Sequence, residues 1–242
     1  PRDEALLMRA AICLGVGVLA LLSGCATSNG LARIFARNIG SFFGTPAPAS
    51  PLRPPSTKAG QVAITYIGHA TTLVQIEDRF VVTDPVFTDT VGAVSRRIMR
   101  PGMPADDLPW VDAVVISHQH FDHLSFGSLD QMRGHFENLL VPEGTRALLP
   151  EQGFRVWEMP WGSRYHEGEL LITAVPVKHV SGRYGLDAGW RPRGFQGYLI
   201  EYRGRVIFFA GDTGLSANYA RAVRELAASL ARHRRRAADL DV

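Results

Sequence analysis

The sequence predicts an α+β domain in which strands predominate, and three observations support this. Short apolar runs separated by turn residues begin at Gln61, as is typical of strands. Only two stretches, residues 123–132 and 217–230, favour helices. The pair Arg203-Gly204 separates two β-rich runs, which indicates a hairpin. We expect one globular domain, with or without appended segments, because 242 residues with 46% hydrophobic content can bury one substantial core.

Several of the predicted strands end in residues that can bind a metal. We predict strands at residues 62–67, 72–76, 80–83, 113–117, 171–177, 198–202 and 205–210. Asp84, His179 and Asp212 each follow one of these apolar runs. Strand ends can converge on one edge of a sheet, where functional sites gather. A single His or Asp at a strand end is more often a turn residue, so these three matter only in combination with a histidine cluster at residues 118–123.

The distribution of charge argues against a nucleic-acid surface on this domain. The formal net charge is +3, and residues 213–242 account for all of it, with six Arg against three acidic residues. Residues 25–212 are therefore neutral overall, whereas nucleic-acid surfaces need clustered positive charge on one face. The two cysteines, Cys13 and Cys25, lie near the N-terminus. A metal site in the domain therefore has to use His and carboxylates.

The N-terminal residues predict an export signal with a lipid anchor. Translation can start at Met8, and an apolar run at residues 10–22 precedes LLSGC, which resembles the bacterial lipobox. We therefore predict a signal peptide over residues 1–25 and lipidation of Cys25. An uncleaved anchor helix is the alternative, although the apolar run is short for a membrane span. Ala26 after the cysteine favours the outer membrane of a bacterial envelope, with the protein facing the periplasm.

Residues 26–60 predict a membrane-proximal segment that ends in a proline-rich linker. Apolar residues recur at helical spacing over residues 31–43, which fits either a short helix on the lipid surface or packing against the folded body. Residues 45–60 contain five prolines and no apolar periodicity, as an extended spacer does. At the other end, residues 221–242 predict an Arg-rich tail exposed to solvent.

The segment SHQHFDH, residues 117–123, carries the strongest chemical signal in the chain. Its three imidazoles and one carboxylate directly follow a predicted strand, and they are ligands that suit zinc-like divalent ions. In an extended loop, His118 and His120 point to the same side and can hold one ion. A helix that starts near Asp122 would turn Asp122 and His123 toward a second ion. A solvated His-rich loop is the alternative, but the pattern arises by chance only about once in a thousand such chains.

Five motifs in this order resemble the metallo-β-lactamase superfamily, in particular its branch of N-acylphosphatidylethanolamine phospholipase D and ascorbate-phosphate lactonase. They are GHAT at 68–71, TDP at 83–85, SHQHFDH, His179 with Ser181-Gly182-Arg183, and GDTG at 211–214. The resemblance covers residues 61–220. It implies a four-layer αβ/βα sandwich of two mixed sheets, with helices outside and metal at one edge. That fold continues with a further strand and His, so we expect this chain to lack the C-terminal portion.

The same resemblance implies ligands for two divalent metal ions, with Zn²⁺ favoured. Six residues would bind them: His118, His120 and His179 the first ion, Asp122 and His123 the second, and Asp212 both. Asp84 would lie behind the ligands and orient them, as carboxylates at metal sites commonly do. The resemblance therefore assigns a function to each of the three strand-end residues.

The predicted site suggests a hydrolytic mechanism, and its second metal position lacks a ligand. Two ions that share a water lower its pKa, and Asp122 would orient the resulting hydroxide as a catalytic residue. His69, in the GHAT motif, would be a second catalytic residue beside Asp122, or else a hydrogen-bonded loop residue. His233, the later histidine, lies among Arg residues that oppose cation binding. The second ion therefore has fewer ligands, and we expect it to bind more weakly.

The predicted activity is zinc-dependent hydrolysis of phosphodiester bonds in N-acylphosphatidylethanolamine-like phospholipids by a membrane-tethered enzyme. Arg183 and Trp190 are the substrate-binding candidates, since their loop also holds Arg191 and Arg193 and guanidinium groups pair with phosphate or carboxylate. Incidental arginines on a solvated loop are the alternative. Lactone hydrolysis by the same fold is a second hypothesis, and a non-catalytic envelope lipoprotein with an incomplete metal site is a third. The sequence contains no G-x-S-x-G motif, which disfavours a serine hydrolase.

Overall fold

The computed structural model describes two compact units of the chain. The described residues are 44–54, 57–92, 95–151, 153–183, 194–215, 217, 220–221 and 223–228. The smaller unit comprises Pro1–Pro48 and Asp89–Arg100, and the larger comprises Ala49–Thr88 and Pro101–Val242. Several predicted features lie outside the described residues: the signal peptide with Cys25, the segment 31–43, Trp190, Arg191, Arg193 and His233. Within the described ranges, no helix combines the length and apolar composition that a membrane span requires.

Strands dominate the described residues, as the sequence predicts. The strands are β1 (Val62–Gly68), β2 (Thr71–Ile76), β3 (Arg79–Thr83), β4 (Thr90–Val91), β5 (Ser95–Arg96), β6 (Ala113–Val115), β7 (Asn138–Pro142), β8 (Arg155–Met159), β9 (Arg164–Glu167), β10 (Leu170–Val175), β11 (Gly197–Tyr202) and β12 (Arg205–Phe209). The helix α1 spans Phe126–Gln131, and 3-10 turns occupy Ala105–Asp107 and Arg146–Leu148. The described residues between 217 and 228 are also helical. In the smaller unit, β4 and β5 form an antiparallel pair.

A six-stranded mixed sheet forms one half of the larger unit. Its order is β1-β2-β3-β6-β7-β8, and the first three strands are antiparallel neighbours. From β3 onward the neighbours β3, β6, β7 and β8 are parallel. Every residue of β6 and β7 is buried, which is expected of parallel strands covered on both faces. The parallel half therefore brings the C-terminal ends of β3 and β6 to the same edge.

A four-stranded sheet in the order β12-β11-β10-β9 forms the other half. All its described pairings are antiparallel, so the expectation that this sheet is mixed is wrong in this detail. The turn between β11 and β12 confirms the predicted hairpin. Arg203 and Gly204 both have positive φ, at 42° and 78°. Two consecutive positive φ values define the type I′ turn that matches the twist of antiparallel strands.

The two sheets pack face to face between outer helices, which confirms the four-layer sandwich. Between the sheets, Val74, Val115 and Leu140 of the larger sheet share a core with Ile172 and Ile200 of the smaller sheet. The outer face of the larger sheet packs against α1 through a second core that includes Leu129 and Met132. On the outer face of the smaller sheet, Val175 and Leu199 pack against Leu226 of the helical segment near the C-terminus.

The predicted helix at 123–132 is shorter than expected, because α1 begins only at Phe126. A turn precedes it, in which the backbone N–H groups of His123 and Leu124 donate to the carbonyl of His120 at 3.1 and 2.9 Å. The expectation that a helix starts near Asp122 is therefore wrong. The tight turn, and not a helical first turn, directs Asp122 and His123.

Candidate metal centre

The predicted metal ligands meet at one edge of the sandwich, because four strands end there. Asp84 follows β3, and the segment 117–123 follows the parallel strand β6. In the smaller sheet, β10 and β12 each run antiparallel to β11 and so point in the same direction. Their C-terminal ends lead into His179 and Asp212. Both sheets thus contribute ligands to one site.

A first cluster consists of His118, His120 and His179. The nearest ring nitrogens of these residues all lie within 4.8 Å of one another. Their ring centroids are 4.3 to 5.1 Å apart and the rings are nearly perpendicular, so they converge without stacking. The Nε2 atoms of His118 and His179 are buried and have no hydrogen-bond partner among the described residues. Buried nitrogens without a partner are costly, and a bound cation would satisfy them.

The three histidines of this cluster are held in their neutral form. Burial, together with the surrounding imidazoles, lowers the pKa of His118 to about 2. Burial also lowers the pKa values of His120 and His179. Neutral imidazole is the form that binds a metal ion, so no proton has to be displaced near neutral pH.

A second cluster lies beside the first and contains His69, Asp122 and His123. The ligand atoms of these three residues also lie within 4.8 Å of one another. Contact with the His69 imidazole holds the pKa of Asp122 below its usual range, so its carboxylate is ionised. The Nε2 atom of His123 lies 3.5 Å from Oδ2 of Asp212, which places Asp212 next to this cluster. His69 therefore faces the site, which the sequence left undecided.

Asp84 lies behind both clusters and fixes the orientation of their histidines. It is fully buried, and its φ of 37° is unusual for a residue other than glycine. Its carboxylate accepts hydrogen bonds from the backbone N–H and the hydroxyl of Ser117, at 2.6 and 2.5 Å, and from Nδ1 of His123, at 2.7 Å. Since the single Ser117 proton is given to Asp84, Ser117 Oγ accepts from Nδ1 of His118, at 2.9 Å. Both imidazoles thus present Nε2 to the site.

The loop carrying Asp212 approaches the histidine segment closely, and this requires glycine. Gly211 has a φ of 56°, and a Cβ there would lie 2.5 Å from Cβ of Ser117. Tyr198 supports the same region, since its buried hydroxyl donates to the carbonyl of Ile116 at 2.8 Å. Sequence analysis assigned no function to Ser117 or Tyr198. A hydroxyl immediately before the first motif histidine was the available signal for Ser117.

The family profile described as "Beta-lactamase superfamily domain" matches residues 79–231, which is more than half of the chain. The chain belongs to the metallo-β-lactamase superfamily. This membership agrees with the sandwich of two sheets and with the ligands gathered at their common edge.

Individual proteins are also similar to this chain in sequence or in fold. An uncharacterized protein of Mycobacterium tuberculosis is 34% identical over 190 residues, which is 72% of this chain and 49% of that protein. An N-acyl-phosphatidylethanolamine-hydrolyzing phospholipase D of Caenorhabditis elegans is 33% identical over 166 residues, 62% of this chain and 46% of that enzyme. The chain thus spans about half the length of these curated relatives. Isothiocyanate hydrolase from Delia radicum gut bacteria shares the fold, with a TM-score of 0.52, 20% identity and 67% coverage of both chains.

Within this superfamily fold, Arg183, which the sequence predicts to bind substrate, is buried beside the histidine segment. Its guanidinium carbon lies 4.1 Å from the ring centroids of both Phe121 and Phe126. Its Nη1 donates to the carbonyls of Gln119 and Leu124, at 3.2 and 2.7 Å. Arg183 is only 7% exposed, and its guanidinium lies against the histidine segment. It links Gln119, inside that segment, and Leu124, directly after it, to the loop that follows His179.

Together the two clusters suit two metal ions. The first cluster offers three neutral imidazole nitrogens, and two of them are buried Nε2 atoms that have no hydrogen-bond partner among the described residues. The second cluster adds the ionised carboxylate of Asp122. Imidazole and carboxylate are ligands of zinc and of several other first-row metals, so the donor set does not select one metal by itself.

Proposed function

We propose that the protein is a hydrolase that uses two divalent metal ions, Zn²⁺ being favoured, to cleave phosphodiester bonds of N-acylphosphatidylethanolamine-like phospholipids. The observation that carries this proposal is the pair of adjoining clusters at one edge of the sandwich. His118, His120 and His179 would hold one ion, and Asp122 and His123 the other. Asp212 would bind both, since it lies 3.5 Å from His123 and its charge acts on both His120 and His179.

Each residue of the site would have a distinct role in such a reaction. When bound, two divalent ions would lower the pKa of a shared water and polarise the scissile bond. Asp122 is ionised, so it could both hold an ion and accept a hydrogen bond that orients the attacking water. Asp84 keeps His123 and, through Ser117, His118 in the tautomer that presents Nε2. The alcohol oxygen of the departing N-acylethanolamine would need a proton as its bond to phosphorus breaks, and solvent reaches this edge beside His69, whose side chain is 32% exposed.

The phospholipid assignment is supported by similarity and by the predicted membrane anchor. The N-acyl-phosphatidylethanolamine-hydrolyzing phospholipase D of Saccharomyces cerevisiae is 30% identical over 165 residues, in addition to the 33% identity of the nematode enzyme. Lipidation at Cys25 and a linker over residues 26–60 would keep the site close to a membrane. We therefore propose a lipid-anchored protein of the bacterial envelope, facing the periplasm, that acts on membrane lipid and not on nucleic acid.

The test uses the full chain incubated with vesicles that contain N-acylphosphatidylethanolamine. We expect release of phosphatidic acid and N-acylethanolamine in equal amounts, measured by mass spectrometry. Chelation should abolish this release and added Zn²⁺ should restore it. A His118→Ala variant should be inactive, because it loses a ligand of the first ion. A His166→Ala variant is the matched control, since His166 is an exposed histidine of β9 outside both clusters.

Two results would contradict the phospholipid assignment. Opening of lactones such as ascorbate-phosphate lactone, without release of phosphatidic acid, would show a lactonase. A protein that turns over neither substrate and retains no metal after dialysis would be a non-catalytic envelope lipoprotein.

A further inference from the structure

An irregularity at the end of β1 directs His69 toward the second cluster. The pairing of β1 with β2 shifts register between Tyr66 and Gly68, which is a β-bulge. Directly after it, His69 adopts a φ of 55°. Bulges commonly re-aim a side chain beside an active site, and a residue other than glycine is strained in this region of φ. The chain maintains this conformation although His69 contributes little to the core, since its side chain is 32% exposed.

The atoms around this position have the spacing of metal ligands. Nε2 of His69 lies 3.4 Å from Oδ2 of Asp122, and Nε2 of His123 lies 3.8 Å from the same oxygen. Nε2 of His123 lies 3.5 Å from Oδ2 of Asp212. A tetrahedral zinc site with bonds of about 2.0 to 2.2 Å has ligand atoms about 3.4 Å apart. A charge-assisted hydrogen bond between imidazole and carboxylate would be shorter, at about 2.8 Å.

The ligand types around this position also suit a cation. Two imidazole nitrogens and two carboxylate oxygens would surround it, and the carboxylates of Asp122 and Asp212 would balance the charge of one divalent ion. The tautomer of His123 is already set, because its Nδ1 is bonded to Asp84. His69 is the one of these four residues to which the sequence argument did not assign a metal ion.

We propose that His69 is a ligand of the second metal ion, which would then be bound by His69, Asp122, His123 and Asp212. This inference rests on the two-metal site proposed above. It replaces the expectation that the second ion has fewer ligands and binds weakly. The GHAT motif thus supplies a fourth ligand from the antiparallel half of the larger sheet.

The first test counts metal ions without measuring turnover. Wild-type protein and the His166→Ala control, stripped of metal, reloaded with Zn²⁺ and dialysed, should each retain two equivalents. His69→Ala should retain one, and its second binding step in calorimetry should be weakened about 10- to 100-fold. His118→Ala should instead weaken the other step. If His69→Ala binds two ions with wild-type affinity, the proposal is overturned, even if its turnover is reduced, because His69 would then act in proton transfer.

The second test places a spectroscopic probe at the position itself and does not depend on the alanine variant. His69→Cys loaded with Co²⁺ should develop a thiolate-to-metal charge-transfer band that appears with the second equivalent. Wild-type protein gives the baseline for Cys13 and Cys25. A folded His69→Cys protein that binds two Co²⁺ ions without this band would refute the proposal. Failure of phospholipid hydrolysis would leave both tests unchanged, so the two proposals can fail separately.

Discussion

The two clusters at the edge of the sandwich differ in how they are prepared for a cation. His118, His120 and His179 are buried or half-buried imidazoles whose pKa values are lowered by burial, so they are neutral before any ion arrives. In the second cluster the side chain of Asp122 is 39% exposed and ionised, and the adjacent side chain of Asp212 is 55% exposed. Folding therefore prepares the first cluster by desolvation and the second by charge. Metal affinity in the first cluster should therefore depend on how rigidly the histidines are held. Metal affinity in the second should depend on the negative charge of the carboxylates.

The largest expected effect comes from Asp84, which supports both clusters. In Asp84→Asn, the amide offers one acceptor oxygen where three donors now meet a carboxylate. Ser117, His118 and His123 would lose their fixed orientation together. We expect Zn²⁺ affinity at both positions to fall about 10- to 100-fold, measured by competition with a chromophoric chelator.

Asp112→Asn is the matched control for this prediction. Asp112 is also a buried aspartate beside β6, but it accepts from Arg79 Nη1 and from the backbone N–H of Phe80, away from the metal site. Its loss should lower the free energy of unfolding and leave metal affinity unchanged. Equal loss of Zn²⁺ affinity in both variants would show that Asp84 acts only through general stability.

A smaller effect is expected from Arg183, which holds the segment shared by the two clusters. Arg183→Ala leaves the carbonyls of Gln119 and Leu124 without their charged donor and removes the cation from between two aromatic rings. We expect the free energy of unfolding to fall by about 3 kcal/mol and Zn²⁺ affinity to fall about tenfold. Urea unfolding and chelator competition measure these two quantities.

Arg183→Lys separates positioning from simple loss of charge. Lysine keeps one donor and the positive charge, so it should recover part of the metal affinity. Arg203→Ala is the control, because Arg203 pairs with Glu77 and Glu169 at the surface and should not affect metal binding. An Arg183→Ala protein with wild-type affinity for both ions would mean that the histidine segment is rigid without this anchor.

The smallest effect is a pH dependence that belongs to the first cluster. The pKa of His118 is about 2 in the folded protein against 6.5 for a free histidine, so only the unfolded chain takes up a proton as the pH falls below about 6.5. Stability from this residue is therefore present above pH 6.5 and is lost below it. Between pH 7.5 and 5.5 the loss should be about 1 kcal/mol in metal-free protein.

Urea unfolding of wild-type and His118→Gln proteins in chelator, at both pH values, isolates this contribution. Neighbouring groups such as His120, His123, His179 and Asp122 also titrate, but their contributions are present in both proteins. The wild-type protein should lose more stability than the variant on acidification. Parallel pH dependences would contradict the assignment of a buried, neutral His118.

The sequence predicted the elements whose patterns are local. The seven predicted strands all occur, and the Arg203-Gly204 turn was identified because such pairs encode the required backbone conformation. Strands β4, β5, β7, β8 and β9 were missed. β7 contains a short apolar run closed by Pro142, and β9, with the sequence RYHE, lies at a sheet edge and buries only Tyr165. Neither has the alternation or length that distinguishes a strand from a loop.

The candidate ligands were predictable because metal ligands must be particular residue types at strand ends, whereas the functions of the supporting residues depend on long-range contacts. Arg183 contacts Gln119 and Leu124 across more than fifty residues, and no local pattern distinguishes an arginine between two rings from one that awaits a substrate. Similarly, the orientation of His69 follows from a bulge that depends on the register between β1 and β2.

The candidate ligands come from both sheets, with His118 and His120 after the larger sheet and His179 and Asp212 after the smaller one. A bound ion is therefore a cross-link between the two halves of the sandwich, at the edge where their apolar core ends. Because an ion bound only to the folded state adds RT ln(1 + [L]/Kd), a hundredfold excess over Kd contributes about 2.7 kcal/mol to its stability. Metal supply would then determine the lifetime of the folded protein as well as its turnover, and a metal-starved cell would lose the protein itself through unfolding and proteolysis.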